Sequence, residues 1–151
     1  MPKQASALPA GATTSTYRYR VPFFDTDAMG VVHHANYIRY LELARIVWLD
    51  EHDEPYRKVA EQGIHYATTR VSLDYQGSAR FDDRIDITVW LDWVRGASLC
   101  MAYELICGDK ALASGYTVHA AVNAEGRVRR LPKERIANLR SLAVRVAPKG
   151  L

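Results

Sequence analysis

Residues 24–51 constrain the fold more than any other stretch, because they join a polar loop to a long apolar run. The loop contains two aspartates, a glycine and two histidines. In the run that follows, the apolar spacing predicts an α-helix, with these residues on one side: Tyr37, Tyr40, Leu41, Ala44, Val47 and Trp48. Further apolar residues widen this surface, so we expect a helix surrounded by other structure. The run is too short and too charged to span a bilayer.

The sequence also indicates where this helix begins and ends. Asn36 is predicted to cap its N-terminus and to fix the loop before it, since an asparagine side-chain oxygen can accept a hydrogen bond from a first-turn N–H. Gly30 allows the preceding loop to turn sharply. The helix is expected to end between His52 and Glu54, ahead of Pro55, because a proline disfavours helical geometry in the residue before it.

Most of the remaining chain alternates apolar and polar residues in short runs, the spacing typical of β-strands. These runs cover residues 17–24, 69–75, 85–93, 99–105 and 112–122, and Pro132 begins a short amphipathic helix. Short turns at Gly96 and Gly108 join consecutive strands, which predicts antiparallel pairing. One apolar helix and one sheet must bury each other. We therefore predict an α+β fold in which a curved, five-stranded antiparallel sheet wraps around one long helix.

A length of 151 residues predicts one domain. We expect residues 1–16, rich in Ala, Ser and Thr, to form a flexible tail and residues 17–146 to form the domain. The tail lacks the apolar core of a secretion signal. A net charge of +3 without a concentrated basic stripe argues against a nucleic-acid-binding protein. Cys100 and Cys107 are predicted to lie unpaired on opposite faces of one strand, which fits a cytoplasmic protein.

The loop before the helix carries the titratable groups of greatest interest. Asp25 and Asp27 lie just upstream of a helix N-terminus, where unpaired N–H groups favour a carboxylate or a developing oxyanion. Aspartates in such a stretch also commonly stabilise turns. The spacing does not fit a calcium-binding EF-hand loop. Adjacent histidines, His33 and His34, are expected to point apart and have no third ligand at a suitable spacing, so no metal site is predicted.

The stretch DTDAMGVVHHANYIRYLELAR resembles the signature of hotdog-fold acyl-CoA thioesterases of the 4-hydroxybenzoyl-CoA thioesterase type. The resemblance implies that Asp27 is the catalytic carboxylate, as general base or as nucleophile, and that the backbone N–H of His34 polarises the thioester carbonyl. It implies an acyl-CoA substrate and no cofactor, coenzyme A being part of the substrate. The further residues that it implies contact the substrate are Gly30, Asn36, Tyr37, Arg95 and Ser98, with Arg129, Arg130 and Lys133 as candidates for the nucleotide phosphates.

The resemblance also implies a homodimer with its sites between subunits, or a homotetramer of two such dimers. The strand at 85–93 or its neighbour is expected to extend the sheet across the two-fold axis. Two other carboxylates compete with Asp27 for the catalytic role. Glu42 lies on the helix and is expected to pair with Arg39 or Arg45, and Asp25 is expected to cap the turn. A hotdog hydratase or dehydratase and a non-catalytic acyl-CoA-binding module are the alternative functions.

Overall fold

The computed structural model describes residues 8–149. In chain order its elements are β1 (Thr14–Arg20), α1 (Asn36–His52), α2 (Tyr56–Glu61), β2 (His65–Tyr75), β3 (Arg84–Arg95), β4 (Ser98–Cys107), β5 (Lys110–Val122) and α3 (Lys133–Leu142). Within these residues five strands form one sheet in the order β1-β3-β4-β5-β2, and all neighbouring pairs are antiparallel. The predicted α+β architecture is confirmed.

Several boundaries differ from the sequence-based ones. The first strand runs from Thr14 to Arg20 instead of 17–24, and Phe23–Asp25 forms a short 3-10 turn. Pro22 explains this end, because proline has no N–H with which to continue the sheet. Residues 14–16, placed in the tail by sequence, belong to β1, and residues 1–7 lie outside the described part of the chain. The second strand begins at His65, four positions earlier than predicted.

Helix α1 buries one face against the sheet. Its buried residues are Tyr37, Tyr40, Leu41, Ala44, Trp48 and Leu49. They pack on the inward side chains of β3, among them Ile85, Ile87 and Val89, which are all fully buried. Ile38 and Leu43 remain 43% and 36% exposed on the opposite face. The prediction that this helix is surrounded on all sides is therefore wrong for a single chain, and α1 retains an exposed apolar surface.

Strand β3 lies inside the sheet and is paired on both edges. It pairs with β1 on one edge and with β4 on the other. Past the end of β1, the C-terminal segment pairs with β3, and the N–H of Val144 donates to the carbonyl of Leu91 over 3.0 Å. The prediction named this strand or its neighbour as the one that extends the sheet across a two-fold axis. The first alternative is wrong, because β3 has no open edge among the described residues, whereas its neighbour β1 lies at an edge. The edge strands of the described sheet are β1 and β2.

Helix α3 is fixed to the rest of the domain by a buried ion pair. Arg135 Nη2 lies 2.5 Å from Asp53 Oδ2, at the end of α1, and donates to the Tyr66 hydroxyl of β2 over 2.7 Å. The two charged side chains are only 8% and 2% exposed. Removing one partner of such a pair leaves an uncompensated buried charge, so α3 has a defined position against the sheet. Among residues 8–149, no helix combines the length and apolar character required to cross a membrane.

Candidate active site

The carboxylate of Asp27 is half-buried in a tight turn between β1 and α1. The turn is closed by hydrogen bonds of 2.9 Å from Asp27 N–H to Val31 O and from Gly30 N–H to Asp27 O. Asp27 Oδ1 accepts the N–H of Met29 over 2.8 Å. Within residues 8–149, Oδ2 accepts no hydrogen bond. One carboxylate oxygen therefore fixes the turn and the other is available for a water molecule or a substrate atom.

Gly30 closes this turn with a φ of +76°, in the left-handed region that glycine adopts without steric cost. A β carbon built at this position would meet only Arg80 Nη1, at 3.6 Å. The glycine is therefore required by backbone conformation and not by lack of space.

We expect Gly30→Val to lower turnover at least tenfold, because a β-branched residue is disfavoured in this region and the Asp27 turn must change to accommodate it. Gly30→Asn should retain more activity, since asparagine tolerates left-handed geometry. Gly63→Val provides the matched control, because Gly63 has a φ of +77° in a connection outside the site. Steady-state turnover and melting temperature of the three variants test this, and a fully active Gly30→Val protein would contradict it.

Asp25, the competing carboxylate, is enclosed in the fold. It is 2% exposed, and its Oδ2 accepts hydrogen bonds from the hydroxyls of Tyr19 at 2.8 Å and Tyr40 at 2.6 Å. Burial, followed by the hydrogen bond to Asp25, raises the pKa of Tyr19 to about 12 and also raises the pKa of Tyr40. Both phenols thus remain donors at neutral pH. Through these two hydrogen bonds Asp25 connects β1 to α1, and its burial keeps it from contacting a substrate.

The backbone of Asp25 holds the start of α1. Its carbonyl accepts the N–H of His33 over 2.9 Å and the side-chain amide of Asn36 over 2.8 Å. The predicted capping role of Asn36 is wrong, because the cap position is Ala35, which makes no side-chain capping bond. Asn36 is already helical, and its amide points back to fix the loop.

We expect Asp25→Ala to lower the free energy of unfolding by about 2–4 kcal/mol, because two phenolic hydroxyls lose their acceptor and an unsatisfied buried donor costs about 1–3 kcal/mol. Adding Tyr19→Phe and Tyr40→Phe to that variant should restore part of the loss, since no donor is then left unpaired. Urea unfolding of the single and triple variants measures both quantities. An unchanged unfolding midpoint in Asp25→Ala would show that the cluster does not hold the loop.

The backbone at His34 presents an unused donor at the start of α1. Its N–H makes no hydrogen bond within the described range 8–149, while its carbonyl accepts the hydroxyl of Tyr75 over 2.7 Å. Tyr75 lies at the end of β2 and packs edge-on against Tyr37, with ring centroids 5.4 Å apart. Tyr75 was not identified from sequence, where it was only the last apolar residue of a strand. It holds the carbonyl of the same residue whose N–H is the candidate oxyanion donor.

The two adjacent histidines do not point apart as predicted. The rings of His33 and His34 stack with centroids 4.3 Å apart, and both side chains are exposed. His33 Nδ1 accepts the N–H of Ala35 over 3.1 Å. Across residues 8–149, no three His, Cys, Asp or Glu side chains are arranged to hold a metal ion.

Two further helix residues have defined positions. Tyr37 is 2% exposed, and its hydroxyl accepts the N–H of Ala79 over 3.2 Å, so it joins the helix to the connection between β2 and β3. Glu42 is exposed and pairs with neither Arg39 nor Arg45 among the described residues, so its predicted ion pair is wrong. Arg45 Nη1 instead donates to the hydroxyl of Tyr103 over 3.3 Å.

Arg95 and Ser98 do not lie near Asp27 within one chain. The Asp27 loop is joined to the N-terminal side of β3, where the N–H of Val32 donates to Ala79 O and that of Val21 to Asp83 O. Arg95 and Ser98 flank the hairpin at the other end of β3. Twelve residues separate these ends, about 36 Å at roughly 3.3 Å per strand residue. Arg95 Nη2 donates to the carbonyl of Pro148.

Comparison with known proteins assigns the chain to a family. Residues 21–145 match the family model of the thioesterase-like superfamily. The chain belongs to the thioesterase-like superfamily. The predicted family and the predicted class of enzyme, a thioester hydrolase, are therefore confirmed.

Individual members of the thioesterase-like superfamily match along most of their length. The chain is 30% identical over 101 residues to the acyl-CoA thioester hydrolase YbgC of Escherichia coli, covering 66% of this chain and 75% of that protein. It is 29% identical over 122 residues to the acyl-CoA thioesterase YbgC of Haemophilus influenzae, covering 79% and 89%. The crystal structure of a hypothetical protein from Thermus thermophilus superimposes with a TM-score of 0.82 and 29% identity, covering 88% of this chain and 100% of that one.

Proposed function

We propose that this thioesterase hydrolyses an acyl-CoA to a free carboxylic acid and coenzyme A, with Asp27 as the catalytic carboxylate. The observation that carries the proposal is that one loop-helix segment contains both a carboxylate oxygen and a backbone N–H without a hydrogen-bond partner among the described residues. Asp27 Oδ2 and the His34 N–H make no hydrogen bonds within residues 8–149, while the atoms beside them are fixed by Met29 and Tyr75. The names of the YbgC relatives support the choice of acyl-CoA.

Hydrolysis requires an attack on the thioester carbonyl and stabilisation of the oxyanion that forms. In the general-base route, Asp27 takes a proton from water as the water oxygen bonds to the carbonyl carbon. The His34 N–H donates to the developing oxyanion, and the positive end of α1 adds to this stabilisation. The intermediate collapses, the carbon–sulfur bond breaks, and the proton returns to the departing thiolate. Since a thiolate is a good leaving group, no strong acid is needed.

Asp27 can instead act as the nucleophile, forming a mixed anhydride with the acyl group and releasing the thiolate before water enters. A single turnover in ¹⁸O water tests for the anhydride. Label found only in the acid product fits a general base and also fits an anhydride that water opens at the acyl carbon. Label in the Asp27 carboxylate indicates that water opened an anhydride at the enzyme's carbon.

We infer that the active unit is a homodimer paired through β2. This strand pairs with β5 on one edge and with no described strand on the other. Its Tyr75 end lies at the Asp27 loop, whereas its His65 end lies opposite Val122, beside the β3–β4 hairpin. Antiparallel pairing of two β2 strands about a two-fold axis brings the Tyr75 end of one chain to the His65 end of the other. The partner's hairpin then lies beside Asp27.

This arrangement gives each predicted substrate residue a role. Gly30 and Asn36 hold the Asp27 loop in its conformation, and Tyr37 packs against Tyr75. Arg95 and Ser98 contact the substrate from the second subunit. The reaction requires no cofactor beyond the coenzyme A of the substrate. We further propose a cytoplasmic location, which the unpaired Cys100 and Cys107 support. A tetramer of two such dimers is the larger assembly that we propose, and light scattering after gel filtration measures it.

Thiol release from short, long and aryl acyl-CoAs tests the proposed reaction directly. Cys100 is buried, and burial raises its pKa to about 12, so this thiol contributes little background to a thiol-reactive reagent. We expect stoichiometric release of acid and coenzyme A from at least one acyl class. Bound acyl-CoA without release would indicate a binding module, and a hydrated acyl chain still joined to coenzyme A would indicate a hydratase.

A further inference from the structure

A network of polar side chains crosses the core side of the sheet, from α1 to the edge strand β2. Its members, in spatial order, are Arg45, Tyr103, Thr117, His119 and Thr68. The hydrogen bonds measure 3.3 Å from Arg45 Nη1 to Tyr103 Oη, 2.6 Å from Tyr103 Oη to Thr117 Oγ1, 2.7 Å from Thr117 Oγ1 to His119 Nε2 and 3.2 Å from His119 Nδ1 to Thr68 Oγ1. The three central members are at most 1% exposed. We call it the Arg45–Thr68 network, and the proposed reaction does not yet use it.

The Arg45–Thr68 network lies on the same side of the sheet as α1. Thr117 and His119 stand opposite Met101 and Leu99 in the register of β4 and β5, and opposite residues of an antiparallel pair share a face. Met101 and Leu99 belong to the hydrophobic core on which α1 packs. Thr68 is in turn opposite His119. The side chain that ends the network is therefore on the face of β2 that α1 covers.

The His119 ring is uncharged at physiological pH. Burial, followed by the nearby positive charge of Arg45, lowers the pKa of His119 to about 3. In a neutral imidazole one nitrogen donates a hydrogen bond and the other accepts one. The nitrogen that carries the proton decides the direction of the hydrogen bonds between Tyr103 and Thr68.

The need to satisfy every buried hydroxyl proton fixes that direction. Arg45 can only donate, so the Tyr103 hydroxyl accepts from it and directs its own O–H at Thr117. Thr117 then donates to His119 Nε2, and His119 Nδ1–H donates to Thr68. A proton on Nε2 would instead leave the Thr117 O–H without an acceptor among the described residues, and an unsatisfied buried donor is costly. The His119 proton is therefore assigned to Nδ1.

The network ends in a hydroxyl donor at the open edge of the sheet. Since Thr68 Oγ1 accepts from His119, its own O–H needs a different acceptor, and it makes no further hydrogen bond within residues 8–149. A β-bulge follows directly, between Thr68 and Arg70, where Thr69 Oγ1 donates to Val118 O over 3.2 Å. Bulges re-aim side chains and are frequent beside active sites. Thr68 thus presents a directed O–H group on the strand proposed to pair with a second subunit.

Strand β2 is too long for Thr68 to reach Asp27 of its own chain. Thr68 and Tyr75 are seven positions apart, about 23 Å at roughly 3.3 Å per residue, and Tyr75 marks the Asp27 loop. In the proposed dimer the His65 end of β2 lies beside the Tyr75 end of the second β2. Thr68 is three positions from His65, about 10 Å by the same spacing. This pairing brings the Thr68 hydroxyl to the Asp27 loop of the second subunit.

We propose that the Thr68 hydroxyl is a second donor to the thioester oxygen at Asp27 of the second subunit, and that His119 is the residue that positions it. The inference rests on the proposed reaction and dimer. As water or Asp27 attacks the carbonyl carbon, the electrons of the C=O π bond move to the oxygen, which accepts hydrogen bonds from the His34 N–H and the Thr68 O–H. Thr68 keeps its proton throughout, and the electrons return when the carbon–sulfur bond breaks. Two fixed donors stabilise this oxyanion better than one.

Thr68→Val tests the donor, because valine has the shape of threonine without its hydroxyl. We expect kcat for acyl-CoA to fall at least tenfold with little change in KM, since removing one oxyanion donor typically costs about 10²–10³ in rate. Thr68→Ser keeps the hydroxyl and should retain most of the activity. Thr69→Val, the same substitution at the adjacent exposed position, is the control and should be fully active. Unchanged kcat in Thr68→Val, or an effect confined to KM, would overturn the proposal.

A double-mutant cycle separates positioning by His119 from a merely structural role. His119→Phe should lower kcat in the wild-type background and have no further effect in the Thr68→Val background, because His119 acts on the substrate only through Thr68. His119→Asn can place an amide N–H near the position of Nδ1–H and should keep most of the activity. Melting temperatures verify that each variant is folded. Equal losses from His119→Phe in both backgrounds would overturn the positioning role.

Nitrogen-15 NMR of the histidine rings measures the direction of the network without any substrate. The His119 signals are those missing from the spectrum of His119→Asn. We expect a proton on Nδ1 and none on Nε2, unchanged between about pH 5 and pH 8. A proton on Nε2 would reverse the network, make Thr68 a donor to His119 and overturn the proposal. If the wild type releases no thiol, the proposed function fails, whereas an active wild type with an equally active Thr68→Val variant refutes this inference alone.

Co-expression of Asp27→Asn and Thr68→Val chains tests whether carboxylate and hydroxyl come from different subunits. In a mixed dimer assembled as proposed, one site contains both groups and the other contains neither. Mixed dimers should therefore approach about half the wild-type kcat and exceed both parents. If each site used Thr68 of its own chain, no site in the mixed dimer would be intact, and its activity would not exceed that of the Thr68→Val parent. That result would overturn the arrangement between subunits.

Discussion

Asp27→Asn should reduce kcat by about 10²–10⁴-fold, the range typical of removing a positioned general base, with the fold unchanged. The amide keeps an Oδ1 that can accept the Met29 N–H, so the turn is retained. It cannot accept a proton from water or form an anhydride. Thiol release at saturating acyl-CoA measures the loss, while melting temperature and substrate affinity should remain close to wild type.

Asp109→Asn is the matched control for this variant, because Asp109 is exposed in the β4–β5 turn and has no role in the site. It should be fully active. Near wild-type turnover in Asp27→Asn would remove Asp27 from the mechanism. The exposed Glu42 would then be the next carboxylate to test, since Asp25 is enclosed by Tyr19 and Tyr40.

Gly115→Ala should produce a large loss of stability although it adds only one methyl group. Gly115 is buried in β5, and a β carbon there would overlap the carbonyl oxygen of Ser72 and lie 3.0 Å from Leu73 Cα. These are backbone atoms of the paired strand β2, so the contact can be relieved only by separating the strands. We expect a loss of about 3 kcal/mol, at the upper end for overpacking, or roughly 6–12 °C in melting temperature.

Gly96→Ala is the comparison for this substitution. Its β carbon would meet only the Arg130 side chain, whose far end can move. Thermal unfolding of both variants should therefore show a small shift for Gly96→Ala and a large one for Gly115→Ala. A shift below 2 °C for Gly115→Ala would contradict the close approach of β5 and β2. Because β2 is the proposed dimer strand, gel filtration should also show weaker self-association of Gly115→Ala.

The sequence predicted the fold because its main signals are local. Helical spacing after Asn36 and the alternating runs at 85–93 and 112–122 identified the helix and the strands. Which strand lies at an edge depends on long-range pairing, and the length of β3 gave no information about its neighbours. The predicted capping role of Asn36 is wrong for a similar reason, because a capping side chain and one that only fixes the loop through Asp25 O have the same local sequence.

The candidate site was predictable only in part. Asp27 and His34 follow from the loop's resemblance to a family and from its position before a helix. Tyr75 and the enclosing tyrosines of Asp25 are distant in sequence, and only the packing of β2 and α1 brings them together.

The two open edges of the sheet differ in a way that limits how large an assembly can grow. Edge strand β1 carries Arg18 and Arg20, paired with Asp86 and Asp82, and is followed by Pro22. Charged side chains and proline are the features by which sheets discourage addition of another strand. Strand β2 carries two charged residues, Arg70 and Asp74, and neither forms an ion pair within residues 8–149. In the proposed dimer the two β2 edges cover each other and only the β1 edges remain, whose paired charges and following proline keep the chain from polymerising into a fibre.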